Sequence, residues 1–253
     1  MSRATPFSLD DRTALVTGAG SGIGRGIAHG LAAAGAEVIL VGRSEAVHRT
    51  AEEITSSGGA ARAVQADLSD LRAADELPRT IGEDTEVDIL VNCAGTIYRS
   101  PFLEHEDERW RDVLDINLEA PRVLSRAFGA QMVDRGRGKI VNIASLLSFQ
   151  GGVNVAAYTT SKHALVGLTK ALANEWASRG VQVNAIAPGY IDTDNTAPLR
   201  ADAQRDAEIL SRIPTGRWGT ADDLAGAAVY LSSAASDYVT GHTLVVDGGW
   251  MSR

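Results

Sequence analysis

The chain has little of what marks several large classes of protein. Its 253 residues include one cysteine, Cys93, so no internal disulfide can form. That cysteine lies in the apolar run "VDILVNCAG", which points to a buried, unreactive thiol rather than a nucleophile. No apolar stretch approaches the roughly 18 residues of a spanning helix, and the polar opening "MSRATPFSLDDR" has no signal-peptide core. A soluble, cytoplasmic protein is expected. Basic residues are the minority, 24 against 32 acidic ones, for a formal net charge of −8 at pH 7. With no basic run and no basic helix, nucleic acid and anionic membranes are poor partners. No Cys/His or carboxylate cluster shows metal-ligand spacing, so no metal is expected in the chemistry. Aromatic residues are only 5% of the chain, which speaks against a bulky, steroid-like pocket. Repeats, low-complexity segments and linkers are missing too, and the length is near the limit of a single core. One domain spanning residues 1–253 is expected.

What the chain does have is alternation. Short runs rich in Val and Ile ("TALVT", "EVILV", "ARAVQ", "VDILVN", "KIVNIAS", "VQVNAIAP", "TLVVD") are separated by longer helical patterns such as "GIGRGIAHGLAAAGA" and "ERWRDVLDINLEAPRVLSRAFGAQMV". Runs apolar on both faces suit strands buried on both sides. The pattern predicts an α/β fold, a Rossmann-type doubly wound parallel sheet of about seven strands with helices on both faces. A region at about 188–215 has no clear strand and contains Pro188, Pro198 and Pro214, which marks a candidate substrate loop.

Ligands of open α/β sheets bind beyond the carboxyl ends of the strands. "TGAGSGIG" follows the first strand, "GRS" the second, "NCAG" the fourth, Ser145 the fifth and "PGYIDT" the sixth, all on one rim. The glycine turn departs from G-x-G-x-x-G and reads G-x-x-x-G-x-G. Running from strand into helix, it suits a dinucleotide pyrophosphate, although a merely tight turn would also use glycine. "YTTSK" places Tyr158 and Lys162 one helical turn apart, on one face. A nearby cation favours a phenolate, whereas burial opposes it, so the pair is either an acid/base centre or a solvated helix face. His163 points roughly 100° away from its neighbour Lys162 and is not expected to take part.

These motifs together resemble the short-chain dehydrogenase/reductase family, over nearly the whole chain. Thr17 to Gly24 match its T-G-x-x-x-G-x-G turn, Asn92 to Gly95 its N-N-A-G with Cys93 as the one change, and Tyr158 to Lys162 its Y-x-x-x-K. The resemblance implies hydride transfer between a nicotinamide and an alcohol or ketone. It casts Tyr158 as acid and base, Lys162 and the charge of the oxidised nicotinamide as the cations that lower its pKa, and Ser145 as donor to the substrate oxygen. It also gives Asn117 the ordering of a proton relay. Thr17, Gly18, Ser21, Gly22, Ile23, Gly24, Asn92, Ala94 and Gly95 would surround the cofactor, with Asp67 and Leu68 at adenine and Pro188, Gly189, Ile191 and Thr193 on the nicotinamide side.

An acidic residue after the second strand selects NAD, whereas an arginine there accommodates the 2′-phosphate of NADP. Here Arg43 and Ser44 occupy that place, so NADP is favoured and NAD is the alternative, the glycine turn lacking the second basic residue that many NADP members carry. "NIASLLSFQGG", "VNAIAPGYIDTDNT", "RIPTGRWG" and "DGGW" are similar to the sugar-acid branch of the family, the 2-keto-3-deoxygluconate and gluconate 5-dehydrogenases. A carboxylate-bearing, hydroxyl-rich substrate needs cations and polar donors, for which Arg99, Gln150, Asn195, Thr196, Arg200 and Arg217 are the candidates. A 3-oxoacyl thioester reductase and a non-catalytic nucleotide-sensing protein are the alternative functions. The resemblance also implies a homotetramer.

Overall fold

The computed structural model describes residues 5–253. Strand β1 (Thr13–Thr17) runs through the glycine turn into α1 (Gly22–Ala33), β2 (Glu37–Gly42) into α2 (Ala46–Ser56), and β3 (Ala60–Gln65) into α3 (Leu71–Ile81). Beyond β4 (Ile89–Asn92) come α4 (Asp107–Leu114), a π-helical turn at Asp115–Glu119, and α5 (Ala120–Arg135). Strand β5 (Gly138–Ile143) leads to α6 (Ala156–Trp176), and β6 (Val181–Pro188) to α7 (Ala197–Ala201), α8 (Ala203–Arg212) and α9 (Asp222–Ser232), before β7 (Thr243–Val246). All the strands pair in parallel, in the order β3-β2-β1-β4-β5-β6-β7.

Two-sided burial explains why these runs are strands. In β1, Ala14 and Val16 pack into a core shared with α1, α2 and α9, while Leu15 faces the core of α3 and α5 on the other side. Strand β2 divides in the same way, Val38 and Leu40 to one face and Ile39 and Val41 to the other. Burial of each Val, Leu or Ile among them stabilises the fold by about 1.5–3 kcal/mol, and a slip of one residue would exchange the two sets.

Two regions differ from the sequence expectation in detail. The long crossover after β4 is not one continuous helix, because the π turn interrupts it at Asn117. Such an insertion re-aims side chains and is common at functional sites. The strandless region near 188–215 is helical: Asp202 caps α8 by accepting from the N–H groups of Gln204 and Arg205. Ile209 and Ile213 then pack with Leu146, Tyr190, Trp218 and Trp250 in a small cluster apart from the main cores. Neighbouring β1 and β4 send their connections to opposite faces, and the crevice opens between them.

Candidate active site

Along the carboxyl ends of the strands runs a cleft of about 660 Å³. Its middle is built by close backbone contact. Gly18 has φ +67°, and a Cβ there would stand 2.9 Å from Cα of Ala94. A Cβ on Gly24 would run into the Gly18 carbonyl. The glycines therefore let the first turn lie directly on the "NCAG" loop. Thr17, buried beneath, ties the two together: its hydroxyl accepts from the N–H groups of Cys93 at 2.9 Å and Ala94 at 3.0 Å. Asn92 lies deeper, donating to Oδ1 of Asn142 at 2.8 Å and to Oγ of Ser125 at 3.3 Å, so it supports the floor rather than lining the cleft. Ser21, Gly22, Ile23 and Gly24 line the cleft at the start of α1, where no side chain caps the helix. This cradle, with glycine at Gly18, Gly20, Gly22 and Gly24 and no side-chain cap on the helix, fits a dinucleotide pyrophosphate.

The end of the cleft expected to take adenosine is formed by the rims of β2 and β3. Arg43, Ser44, Asp67 and Leu68 all line it. The Ser69 hydroxyl (2.7 Å) and N–H (3.0 Å) hold the Asp67 carboxyl below the usual carboxylate range, with a smaller contribution from the charge of Arg43. Arg49 of α2 lines the same end. Sequence reading missed it because nothing in a helical arginine shows which way the helix faces.

At the other end stand Ser145, Tyr158 and Lys162. Ser145 sits at the end of β5 and also opens a short 3₁₀ turn, its hydroxyl accepting from the N–H of Leu147 at 3.2 Å. Lys162 is buried, with Nζ donating to the Ile143 carbonyl at 2.6 Å and lying 5.6 Å from the centre of the Tyr158 ring. Burial pulls the Lys162 ammonium down to about 8. It pushes the Tyr158 phenol above its ordinary value, against weaker lowering by Ser145 and by the charge of Arg99. In the free protein, loss of water is thus the larger influence on the phenol, the direction expected of burial alone. Ser145 lines the cleft beside the phenol, and its side chain is the largest of the influences that lower the phenol's pKa.

Asn117 is completely buried on the π turn, where its side chain accepts from the Thr96 N–H at 2.8 Å and donates to the Thr96 carbonyl at 2.9 Å and to Ser161 Oγ at 3.1 Å. It holds the loop after Gly95 rather than lining the cleft. Burial pushes the Cys93 thiol up to about 12, so it stays protonated. His163 is exposed, its ring against the Thr159 carbonyl one turn back.

Pro188, Gly189, Ile191 and Thr193 line the wall on the nicotinamide side. The substrate-side candidates divide. Asn195 and Thr196 reach the cleft, but the Thr196 hydroxyl is occupied, donating to Ile191 and Thr193 carbonyls at 2.6 and 2.9 Å. Arg99 is not among the residues lining the cleft but donates to the carbonyl of Asn195, which is, at 3.2 Å, and its charge is felt at Tyr158. Three candidates are engaged elsewhere. Gln150 holds the carboxy-terminal turn through Met251 and Trp250, Arg200 pairs with Asp192, and Arg217 grips Asp223 through two nitrogens at 2.7 and 2.8 Å. Arg200 and Arg217 are taken by carboxylates near them in sequence and Gln150 by the distant carboxy-terminal turn, partners that motif spacing does not reveal.

Comparison with known proteins agrees with this geometry. Residues 18–251 match a family model described as enoyl-(acyl carrier protein) reductase. The 2-dehydro-3-deoxy-D-gluconate 5-dehydrogenase of Bacillus subtilis is 52% identical over 247 residues, covering 98% of this chain and 97% of that protein. A Beutenbergia cavernae structure, proposed to be an NAD(P)-dependent gluconate 5-dehydrogenase and holding NADP at low occupancy, superimposes with a TM-score of 0.97 at 59% identity, over 98% of this chain and 100% of that one. The gluconate 5-dehydrogenase of Burkholderia cenocepacia, solved with NADP and tartrate, gives 0.94 at 38% identity, over 98% of each chain. With the glycine cradle and the Ser145, Tyr158 and Lys162 cluster on one rim, the chain belongs to the short-chain dehydrogenase/reductase family of NAD(P)-dependent oxidoreductases.

Proposed function

We propose that the protein interconverts a secondary alcohol and a ketone on a sugar acid of the gluconate, 2-deoxygluconate or keto-deoxygluconate type, with NADP as the preferred cofactor. The observation that carries this is one continuous cleft with a pyrophosphate cradle in the middle, a free arginine at one end, and a hydroxyl, a phenol and a buried ammonium at the other. The bound nicotinamide supplies or accepts the hydride. Everything else falls to side chains. Tyr158 takes the hydroxyl proton as the carbinol becomes a carbonyl, and returns it in reduction. Lys162, anchored on the Ile143 carbonyl, holds a positive charge one turn from the phenol. Ser145 donates to the substrate oxygen as charge develops on it. Asn117 fixes the Thr96 backbone behind them and so keeps an ordered path for proton exchange.

The sugar-acid reading is supported by the relatives and by Arg99, a cation bonded to the cleft residue Asn195 with its charge felt at Tyr158, which can hold a substrate carboxylate while a neighbouring carbinol meets the phenol. Among the described residues no helix is long and apolar enough to cross a membrane. A cytoplasmic homotetramer belongs to this reading through the family resemblance, and light scattering on the purified protein checks the assembly.

The test is initial rates of reduced-nicotinamide absorbance with NADP or NAD against gluconate, 2-deoxygluconate, 5-ketogluconate, a keto-deoxygluconate and an acetoacetyl thioester. Turnover confined to the sugar acids is expected. Turnover of the thioester alone would move the substrate to acyl chemistry, and dinucleotide binding with no turnover of any of them would remove the catalytic role.

A further inference from the structure

A 2′-phosphate is a compact dianion, and one exposed arginine holds it weakly in salt. The usual second cation has no place in this glycine turn, whose variable positions are Ala19, Gly20 and Ser21. The fold brings another arginine to the same spot. A Cβ on Gly20 would stand 3.0 Å from the Cβ of Ala46, so the first turn of α2 lies hard against the cradle. Arg49 is three residues further along α2, on the same face as Ala46, and both line the adenosine end of the cleft with Arg43 and Ser44.

Among the described residues, Arg43 and Arg49 are the arginines that line the cleft. Arg25, Arg72, Arg200 and Arg217 each find a carboxylate within ion-pair distance, whereas neither Arg43 nor Arg49 has one among the described residues. The nearby carboxylates are committed elsewhere: Asp67 accepts from Ser69 twice, and Glu45 lies outside the cleft, 3.9 Å from His48. Two uncommitted guanidinium groups and a hydroxyl therefore face one end of the cleft.

We propose that Arg49 is the second cation of a 2′-phosphate clamp, acting with Arg43 and Ser44, and that this pair sets the preference for NADP over NAD. The inference rests on the NADP reading above. Guanidinium groups approaching a phosphomonoester from two elements, the β2 rim and α2, grip it from two sides, and an unphosphorylated ribose has nothing for them to hold.

The test is binding, without turnover: fluorescence titration of NADPH and NADH into the full-length protein, with adenosine 2′-monophosphate and adenosine 5′-monophosphate as competitors. Arg49→Ala should weaken NADPH and the 2′-monophosphate about tenfold, the loss of one charge-assisted contact, leave NADH within about twofold, and flatten the salt dependence of NADPH binding. Arg49→Lys should recover part of the loss. Equal weakening of NADPH and NADH, or no change in either, would overturn the clamp. Arg43→Ala separates the two claims: a selective loss there without one at Arg49 removes only this inference, whereas a wild-type protein that binds NADH as tightly as NADPH removes the NADP reading as well.

Discussion

The ammonium of Lys162 lies 5.6 Å from the centre of the Tyr158 ring while donating at 2.6 Å to the Ile143 carbonyl. The lysine is thus fastened to the end of β5, and its charge sits beneath the phenol rather than in contact with its oxygen. Such a charge can favour the phenolate without competing with the substrate for the phenol oxygen, the job of an acid/base support.

In the proposed reaction, replacing the phenol removes the proton acceptor and leaves the cradle intact. Tyr158→Phe should lower kcat by about 10²–10⁴-fold, with NADPH affinity within about twofold of the parent. Steady-state rates combined with fluorescence titration of NADPH check both halves, and unchanged turnover would exclude Tyr158 as the base.

The raised pKa of Tyr158 gives the two reaction directions different pH profiles. With Tyr158 as the proposed base, alcohol oxidation needs the ionised phenol, so its kcat/KM should rise with pH through the neutral range, by up to about tenfold per unit. Ketone reduction needs the protonated phenol and should stay flat over the same range. A flat oxidation profile would show that the proton leaves by another group.

Lys162 also links stability to pH. Its pKa is about 8 in the folded chain against an ordinary 10.5, so between these values the unfolded chain holds a proton that the folded chain has released. Stability from this group therefore rises as pH increases from 8 to 10.5, by at most about 3 kcal/mol. Urea unfolding of the parent and of Lys162→Met across that range measures the difference, and Lys162→Met should lose this part of the slope.

Thr17→Val keeps the shape but strips the acceptor from two backbone N–H groups beneath the cleft. A loss of about 1–3 kcal/mol in unfolding free energy is expected, together with weaker dinucleotide binding as the "NCAG" loop loosens. A parent-like midpoint in denaturant would mean that water replaces the hydroxyl.

Arg99→Ala should raise KM for a sugar acid at least about tenfold, the value of a charge-assisted contact, and raise it far less for a polyol that lacks the carboxylate. Arg217→Ala serves as the comparison. Its guanidinium is already held by Asp223, so KM should hold steady there. Matching KM changes in the two variants would remove the carboxylate role of Arg99.

The alternation of two-sided apolar runs with helical stretches determined the sheet, because strands buried on both faces leave no other pattern. The rim was legible for the same reason: the carboxyl ends of parallel strands fall on one side, so the glycine turn, Ser145 and "YTTSK" had to meet there. Long-range packing decided the rest. The π turn turns Asn117 onto Thr96, burial raises the Tyr158 phenol, and the packing of Ala46 on Gly20 brings Arg49 to the cleft. Arg200 and Arg217 are taken by Asp192 and Asp223, while Arg43 and Arg99 find no carboxylate among the described residues. An arginine reads the same in every sequence, and only the fold determines whether a carboxylate lies within its reach.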